Sequence, residues 1–320
     1  MATYKEIKGT NIEVLESDPS NPLDGQVWFN STDNVLRGNV GTPVVAWSTV
    51  NSLNKARTST SGAGIATAAL VVGGYSTTNI ADTESWNGSN WTEVNNLNTA
   101  RSSTGSMGTY TAALTFGGSG SPSYLSNTET WNGSNWTEVN DLNSARRALP
   151  GAGTNTAGLA IGGFEPPGTN KVESWNGTNW TETTDLNTPR YASAGAGIQT
   201  AALLIGGAGG TPKTELWNGS NWTEVNDLNQ GREALMGSGV QTSAVAYGGT
   251  TPAGAATESW NGTNWTEVND LNNGRIRAAS AGATNTSALA SGGVPAPGSP
   301  SNVAFAEQFA GLTTKTFTDS

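Results

Sequence analysis

A short apolar run, Ala112-Ala-Leu-Thr-Phe116, ends at Gly117-Gly118 and is preceded by Ser102 to Thr109, a stretch of serine, threonine, glycine and other small residues. The run is too short for a helix, and its composition predicts a strand paired with the small-residue stretch before it. After a loop to Asn127 come Thr128-Glu-Thr-Trp131 and Trp136-Thr-Glu-Val139, on either side of Asn132-Gly133. Asn-Gly between two strand patterns predicts a hairpin, because both residues tolerate positive φ. The stretch therefore reads as four short strands, a to d in chain order, with no helical period.

This unit recurs. One arginine returns at Arg57, Arg101, Arg146, Arg190, Arg232 and Arg275. A glycine doublet begins at Gly73, Gly117, Gly162, Gly206, Gly248 and Gly292, and a glutamate two residues before an aromatic stands at Glu84, Glu129, Glu173, Glu215, Glu258 and Glu307. A period of about 44 residues built from four strands predicts a repeat ring, an all-β, six-bladed β-propeller. The small residues of strand a fit the crowded centre. The tryptophans of strands c and d fit the seams between blades, where each indole N–H needs an acceptor.

Strand types also predict how the ring closes. The d-type segment first appears at Trp47 to Arg57, before any complete unit, and the last unit has only a weak c strand around Glu307-Gln-Phe309. Val44 to Val50 is therefore expected to supply the outer strand of the last blade, with Thr316 to Thr318 as the competing segment. Residues 44–320 are assigned to the propeller and 1–43 to a separate N-terminal β segment. Connections b–c and d–a are expected on one face. The b–c loops differ most between units, which is how a rigid scaffold presents a binding surface. Exposed Tyr75, Tyr124, Phe164 and Tyr191 on that face are candidate stacking residues for a sugar.

The arginine before strand a, the Gly-Gly closing strand b and the aromatics of strands c and d resemble the kelch repeat over some 270 residues. Trp-Asn-Gly stands where that family usually has a Tyr-Asp-type hairpin. A second resemblance lies in Pro22-Leu-Asp-Gly-Gln-Val-Trp-Phe-Asn30, followed by the polar Ser31-Thr-Asp turn and the strand-like Asn34-Val-Leu-Arg37. It is similar to a short element of bacteriophage virion proteins, especially tail fibres and appendages. That resemblance implies a virion part that contacts other virion proteins through its N-terminal segment. A host cell-surface glycan is a further candidate partner, and the resemblance also allows a homo-oligomer.

Composition narrows the chemistry. The chain has no cysteine and no histidine, so disulfides, thiolate nucleophiles and the commonest metal ligand and general base are missing. The histidine ligands and cysteine-linked tyrosine of kelch-type copper oxidases cannot form, and no sialidase-type box is present. A formal charge of −10 argues against nucleic acid, and no apolar run approaches membrane length. The first residues carry no apolar stretch, so synthesis without a signal peptide is expected. Glu93, Glu138, Glu182, Glu224 and Glu267 occupy one position of the repeat, as the six arginines do, and both sets are expected to hydrogen-bond strands to loops. The arginines have a second reading, as a ring around the axial opening that holds an anion. Asp141, Asp185, Asp227 and Asp270 could ligate calcium or, as isolated turn aspartates do, cap backbone. Together with the resemblance of the N-terminal element to phage virion proteins, this implies a non-enzymatic virion structural protein, a tail fibre, appendage or capsid-surface part, without cofactor or metal. A lectin-like adhesin and an intracellular kelch-type adaptor are the alternatives.

Overall fold

The computed structural model describes residues 13–17, 27–38, 46–250, 254–296 and 301–310. Six four-stranded antiparallel sheets each run in the order a-b-c-d. Blade 1 is Ser61–Ile65, Ala68–Tyr75, Asn79–Trp86 and Trp91–Val94; blade 2 is Gly105–Thr109, Ala112–Phe116, Thr128–Trp131 and Trp136–Val139. Blade 3 is Gly151–Gly153, Gly158–Ile161, Val172–Trp175 and Trp180–Glu182; blade 4 is Ala194–Ile198, Ala201–Ile205, Thr214–Trp217 and Trp222–Val225. Blade 5 is Met236–Val240, Ser243–Tyr247, Thr257–Trp260 and Trp265–Val268. Blade 6 takes Ala279–Thr284, Ser287–Ser291 and Ala306–Ala310 from the C-terminal side and Ala46–Val50 from the N-terminal side.

That last strand closes the ring as the tryptophan spacing predicts. Trp47 lies opposite Phe309 in antiparallel register, their ring centroids 5.0 Å apart. Thr316 to Thr318 lies outside the described residues. Joining the two ends of the propeller leaves the last blade with the same four strands as the others.

A second closure runs around the axis. The residue two places after each repeated arginine has positive φ, between 51° at Ser59 and 55° at Arg277, although none of the six is glycine. Each donates its amide to the carbonyl of its counterpart in the preceding blade: Ser103 to Ser59, Ala148 to Ser103, Ala192 to Ala148, Ala234 to Ala192, Arg277 to Ala234 and Ser59 to Arg277, at 2.6–3.0 Å. A non-glycine residue in this region costs on the order of 1 kcal/mol, and the hydrogen bond offsets that strain. The ring is unbroken.

The c–d hairpins depart from the simplest expectation. The loop is four residues, as in Asn87–Asn90, and only Gly88 has positive φ, at 90°. Asn87 instead turns its Oδ1 onto the amides of Ser89 and Asn90, 2.9 and 2.8 Å away. The asparagine serves as an acceptor for the turn, and the glycine alone supplies the left-handed step.

Apolar side chains gather at the seams, not in one central core. Phe116 and Leu114 of blade 2 pack with Trp175 and Trp180 of blade 3, and the other blade pairs repeat this. The strand-d indoles lock the seams. Trp136 donates Nε1–H to Thr83 Oγ1, Trp180 to Thr128, Trp265 to Thr214 and Trp47 to Thr257, at 3.0–3.1 Å. Two seams lack the threonine. Trp91 packs with Ala306 and donates instead to the Asn51 carbonyl at 2.9 Å. Trp222 packs with Val172, and its buried Nε1–H has no acceptor.

The described residues before the propeller form a small sheet of their own. Glu13–Leu15 runs parallel to Val27–Asn30, which turns back antiparallel into Val35–Gly38. Buried Asn30 caps the turn, its Oδ1 accepting the amides of Thr32 and Asp33 at 3.0 Å. Most of the turn-rich entry, residues 18–26, lies outside the described residues.

The orphaned indole gives a direct test. Val172→Thr should place a hydroxyl where the Thr83, Thr128, Thr214 and Thr257 hydroxyls already serve, stabilising the fold by about 1 kcal/mol. Guanidinium unfolding measures this. A loss of stability, the usual result of burying an unmet hydroxyl, would contradict the seam geometry.

Candidate functional site

The six repeated arginines are buried, and each pairs with the repeated strand-c glutamate of its own blade. Arg101 and Glu129 meet at 2.8 Å and Arg232 and Glu258 at 3.0 Å; Arg57–Glu84, Arg146–Glu173, Arg190–Glu215 and Arg275–Glu307 make the same contact. The glutamate's other oxygen is also used. Glu129 Oε2 accepts the backbone and side-chain N–H of Asn98, both at 2.8 Å. Asn98 belongs to the connection arriving from blade 1, so the carboxylate ties two blades together. Burial pulls the guanidinium pKa of Arg101, Arg190, Arg232 and Arg275 down, and the paired glutamate pushes back.

The glycine doublet belongs to this clamp. Arg101 donates to the carbonyls of Gly117 and Asn127 in its own blade, while its own carbonyl accepts Gly74 N–H from blade 1 at 2.9 Å. A Cβ on Gly117 would stand 2.6 Å from the Arg146 carbonyl, and its φ is 62°, so only glycine fits.

The axial ring of arginines is therefore corrected. None of Arg57, Arg101, Arg146, Arg190, Arg232 or Arg275 lines the axial cavity, because each side chain turns into its own blade to reach glutamate. The strand-d glutamates are not the partners. Strand d is the outer strand, and Glu93, Glu138, Glu182, Glu224 and Glu267 are exposed; Glu138 accepts from Asn127 and Glu224 from Lys213, both at 2.7 Å. Asp141, Asp227 and Asp270 accept the strand-c amides of Thr128, Thr214 and Thr257 at 3.0–3.3 Å, a capping role. Among the described residues no cluster of three or more acidic side chains is arranged for a metal, and no helix is long and apolar enough to cross a membrane.

What remains for function is the rim of the axial cavity, a space of about 350 Å³ lined by the a strands and the connections leading into them. At six equivalent places the residue after the repeated arginine pairs with the residue after the glycine doublet. The pairs are Thr58 with Tyr75, Ser102 with Ser119, Arg147 with Phe164, Tyr191 with Ala208, Glu233 with Thr250 and Ile276 with Val294. These bonds put b–c and d–a connections on one face. The backbone repeats while the side chains change.

One arc of this rim is aromatic. Phe164 meets Tyr124 edge-on at 5.9 Å and Tyr191 at 4.8 Å between ring centroids. The Arg147 guanidinium carbon lies 5.3 Å from the Tyr124 ring centre and 5.0 Å from that of Phe164. Three of the four aromatics singled out from sequence thus come together, but packed on one another they are half-buried, not exposed as expected. Tyr75 is 43% exposed and stands apart on blade 1, its carbonyl accepting from Asn302. Arg147 was not among the sequence candidates. The signal was the Arg146-Arg147 doublet, in which only the first arginine fits the repeat.

No family model matches the chain, and no curated protein matches it. Among solved structures it is similar to YjhT, with 13% sequence identity and a TM-score of 0.66 over 80% of this chain and 95% of that one. At that identity the likeness carries the fold alone: this chain is a six-bladed β-propeller, an architecture that hosts both binding proteins and enzymes.

The buried pairs predict a non-additive mutant series. Arg101→Met should cost about 3–5 kcal/mol, because Glu129 is left charged and buried, and the double change Arg101→Met with Glu129→Met should recover most of that loss. Urea unfolding of the four proteins checks it. Additive losses would contradict the clamp.

Proposed function

We propose that the chain is a non-enzymatic recognition propeller carried on a bacteriophage particle, as part of a tail fibre, appendage or capsid surface. The observation that carries the recognition part is a division of labour. The repeated arginines and strand-c glutamates are buried in blade clamps, whereas the side chains that differ between blades are displayed on one rim. The particle part is supported by Gln26-Val-Trp-Phe-Asn30, of which Val27–Asn30 forms the first strand of a capped hairpin. In this reading that segment contacts other virion proteins, and the rim faces outward. The buried Arg, the Gly-Gly and the paired aromatics support a kelch-like assignment of the repeat.

A lectin-like adhesin is the second reading, favoured by the Tyr124–Phe164–Tyr191 arc. It is compatible with the first if the virion part also binds the receptor. An intracellular kelch-type adaptor would use the same rim for a protein partner.

Peptide mass spectrometry of gradient-purified particles separates these readings. The proposal expects this chain at a fixed ratio to the major capsid protein. Absence from particles, with abundance in infected-cell lysate, would overturn it in favour of the adaptor.

A further inference from the structure

Charge accounting around the propeller isolates two side chains. Six arginines are clamped to glutamate, Lys55 pairs with Asp82 at 2.6 Å, Lys213 with Glu224 at 2.7 Å and Lys171 with Glu165 at 3.5 Å. Among the described residues of the propeller only Arg147 and Arg277 have no carboxylate partner, and both line the axial cavity. In a chain of net charge −10, uncommitted cations meeting at one cavity form a local attraction for anions.

Arg147 is held for that task. Its guanidinium lies over Tyr124 and Phe164, so aromatic rings fix it without using its N–H donors. Nε is buried, and the side chain donates to no acceptor among the described residues. A guanidinium held this way keeps a planar fork of donors that matches a carboxylate in two-point contact. Arg277, on the opposite arc, is the one charged member of the hydrogen-bonded ring of left-handed residues, and it is exposed.

The remaining lining suits a hydroxylated body. Tyr191 extends the aromatic arc and, with Arg147, lines the cavity, whereas Tyr124 and Phe164 stand outside its lining. An aromatic face takes the C–H face of a sugar ring, and a cation takes a carboxylate on it. The cavity volume of about 350 Å³ is at the small end of the range for organic ligands. Glu233 also lines the cavity, but one of its oxygens already accepts the Gly209 amide at 2.9 Å.

We propose that the arc of Tyr124, Arg147, Phe164 and Tyr191 binds a saccharide that carries a carboxylate, with Arg147 gripping the carboxylate and the aromatic side chains covering the ring. The proposal deepens the recognition reading and rests on it for the use of the rim.

Calorimetric titration of the full chain tests it with sodium glucuronate, glucose and inorganic phosphate as probes. Glucuronate should bind with a Kd on the order of millimolar, and glucose at least about tenfold more weakly. Arg147→Met should lower glucuronate affinity about tenfold or more, and Arg147→Lys, which keeps the charge but loses the fork, should also weaken it. Arg147→Lys is the deciding variant if Arg147→Met loses its cooperative melting transition. Absence of glucuronate binding at tens of millimolar, or unchanged affinity in the variants, would overturn the proposal. So would phosphate binding as tightly as glucuronate, which would leave an anion site without saccharide recognition. The titration uses free protein, so its failure leaves the particle assignment standing, and absence from particles leaves the titration result standing.

Discussion

The structure depends on an arginine buried once per blade. A guanidinium cannot be taken out of water unless its charge is met. Here a glutamate and neighbouring carbonyls meet that of Arg101, although its Nε–H stays buried without an acceptor, and an asparagine from the preceding connection takes the glutamate's other oxygen. That requirement fixes much of the repeat. The glycine doublet leaves room for the carbonyl of the next blade's arginine, the glutamate must sit on strand c, and Leu-Asn-x-x-Arg must arrive with the asparagine and arginine on one carboxylate. The sequence motif is the chemical specification of a joint between blades.

Around this joint the molecule is closed twice. The outer closure exchanges a strand between the two ends of the propeller, Ala46–Val50 against Ala306–Ala310, and sets Trp47 in the last seam. The inner closure is the ring of six backbone hydrogen bonds at the axis, held through residues that bear the strain of positive φ. With both closures made by backbone and by buried repeated side chains, the rim positions carry no structural duty common to all blades. They are free to differ, and they do.

Much of the fold was legible because its determinants repeat. Blade number, strand order, the role of Trp47 and the seam position of the tryptophans all follow from spacing. Which glutamate pairs with arginine was harder. Glu84 and Glu93 face each other across one register, yet strand c is covered by the incoming connection and strand d is the outer edge, so only depth separates them. The asparagine of each Asn-Gly turn looked like a left-handed residue and proved to be a side-chain acceptor. Arg147 was hidden because an extra arginine beside a repeated one reads as a surface charge. Its contact with Tyr124 and Phe164 joins segments of two blades that no local pattern connects.

The repeated arginines are consumed by the scaffold, while Arg147 and Arg277 carry no carboxylate partner and remain free for a ligand. Anomalous diffraction from a bromide-soaked crystal tests it most directly. Bromide is expected beside Arg147 or Arg277 at the axial cavity and not beside Arg57, Arg101, Arg146, Arg190, Arg232 or Arg275. Bromide on the repeated arginines, with the cavity mouth empty, would contradict it.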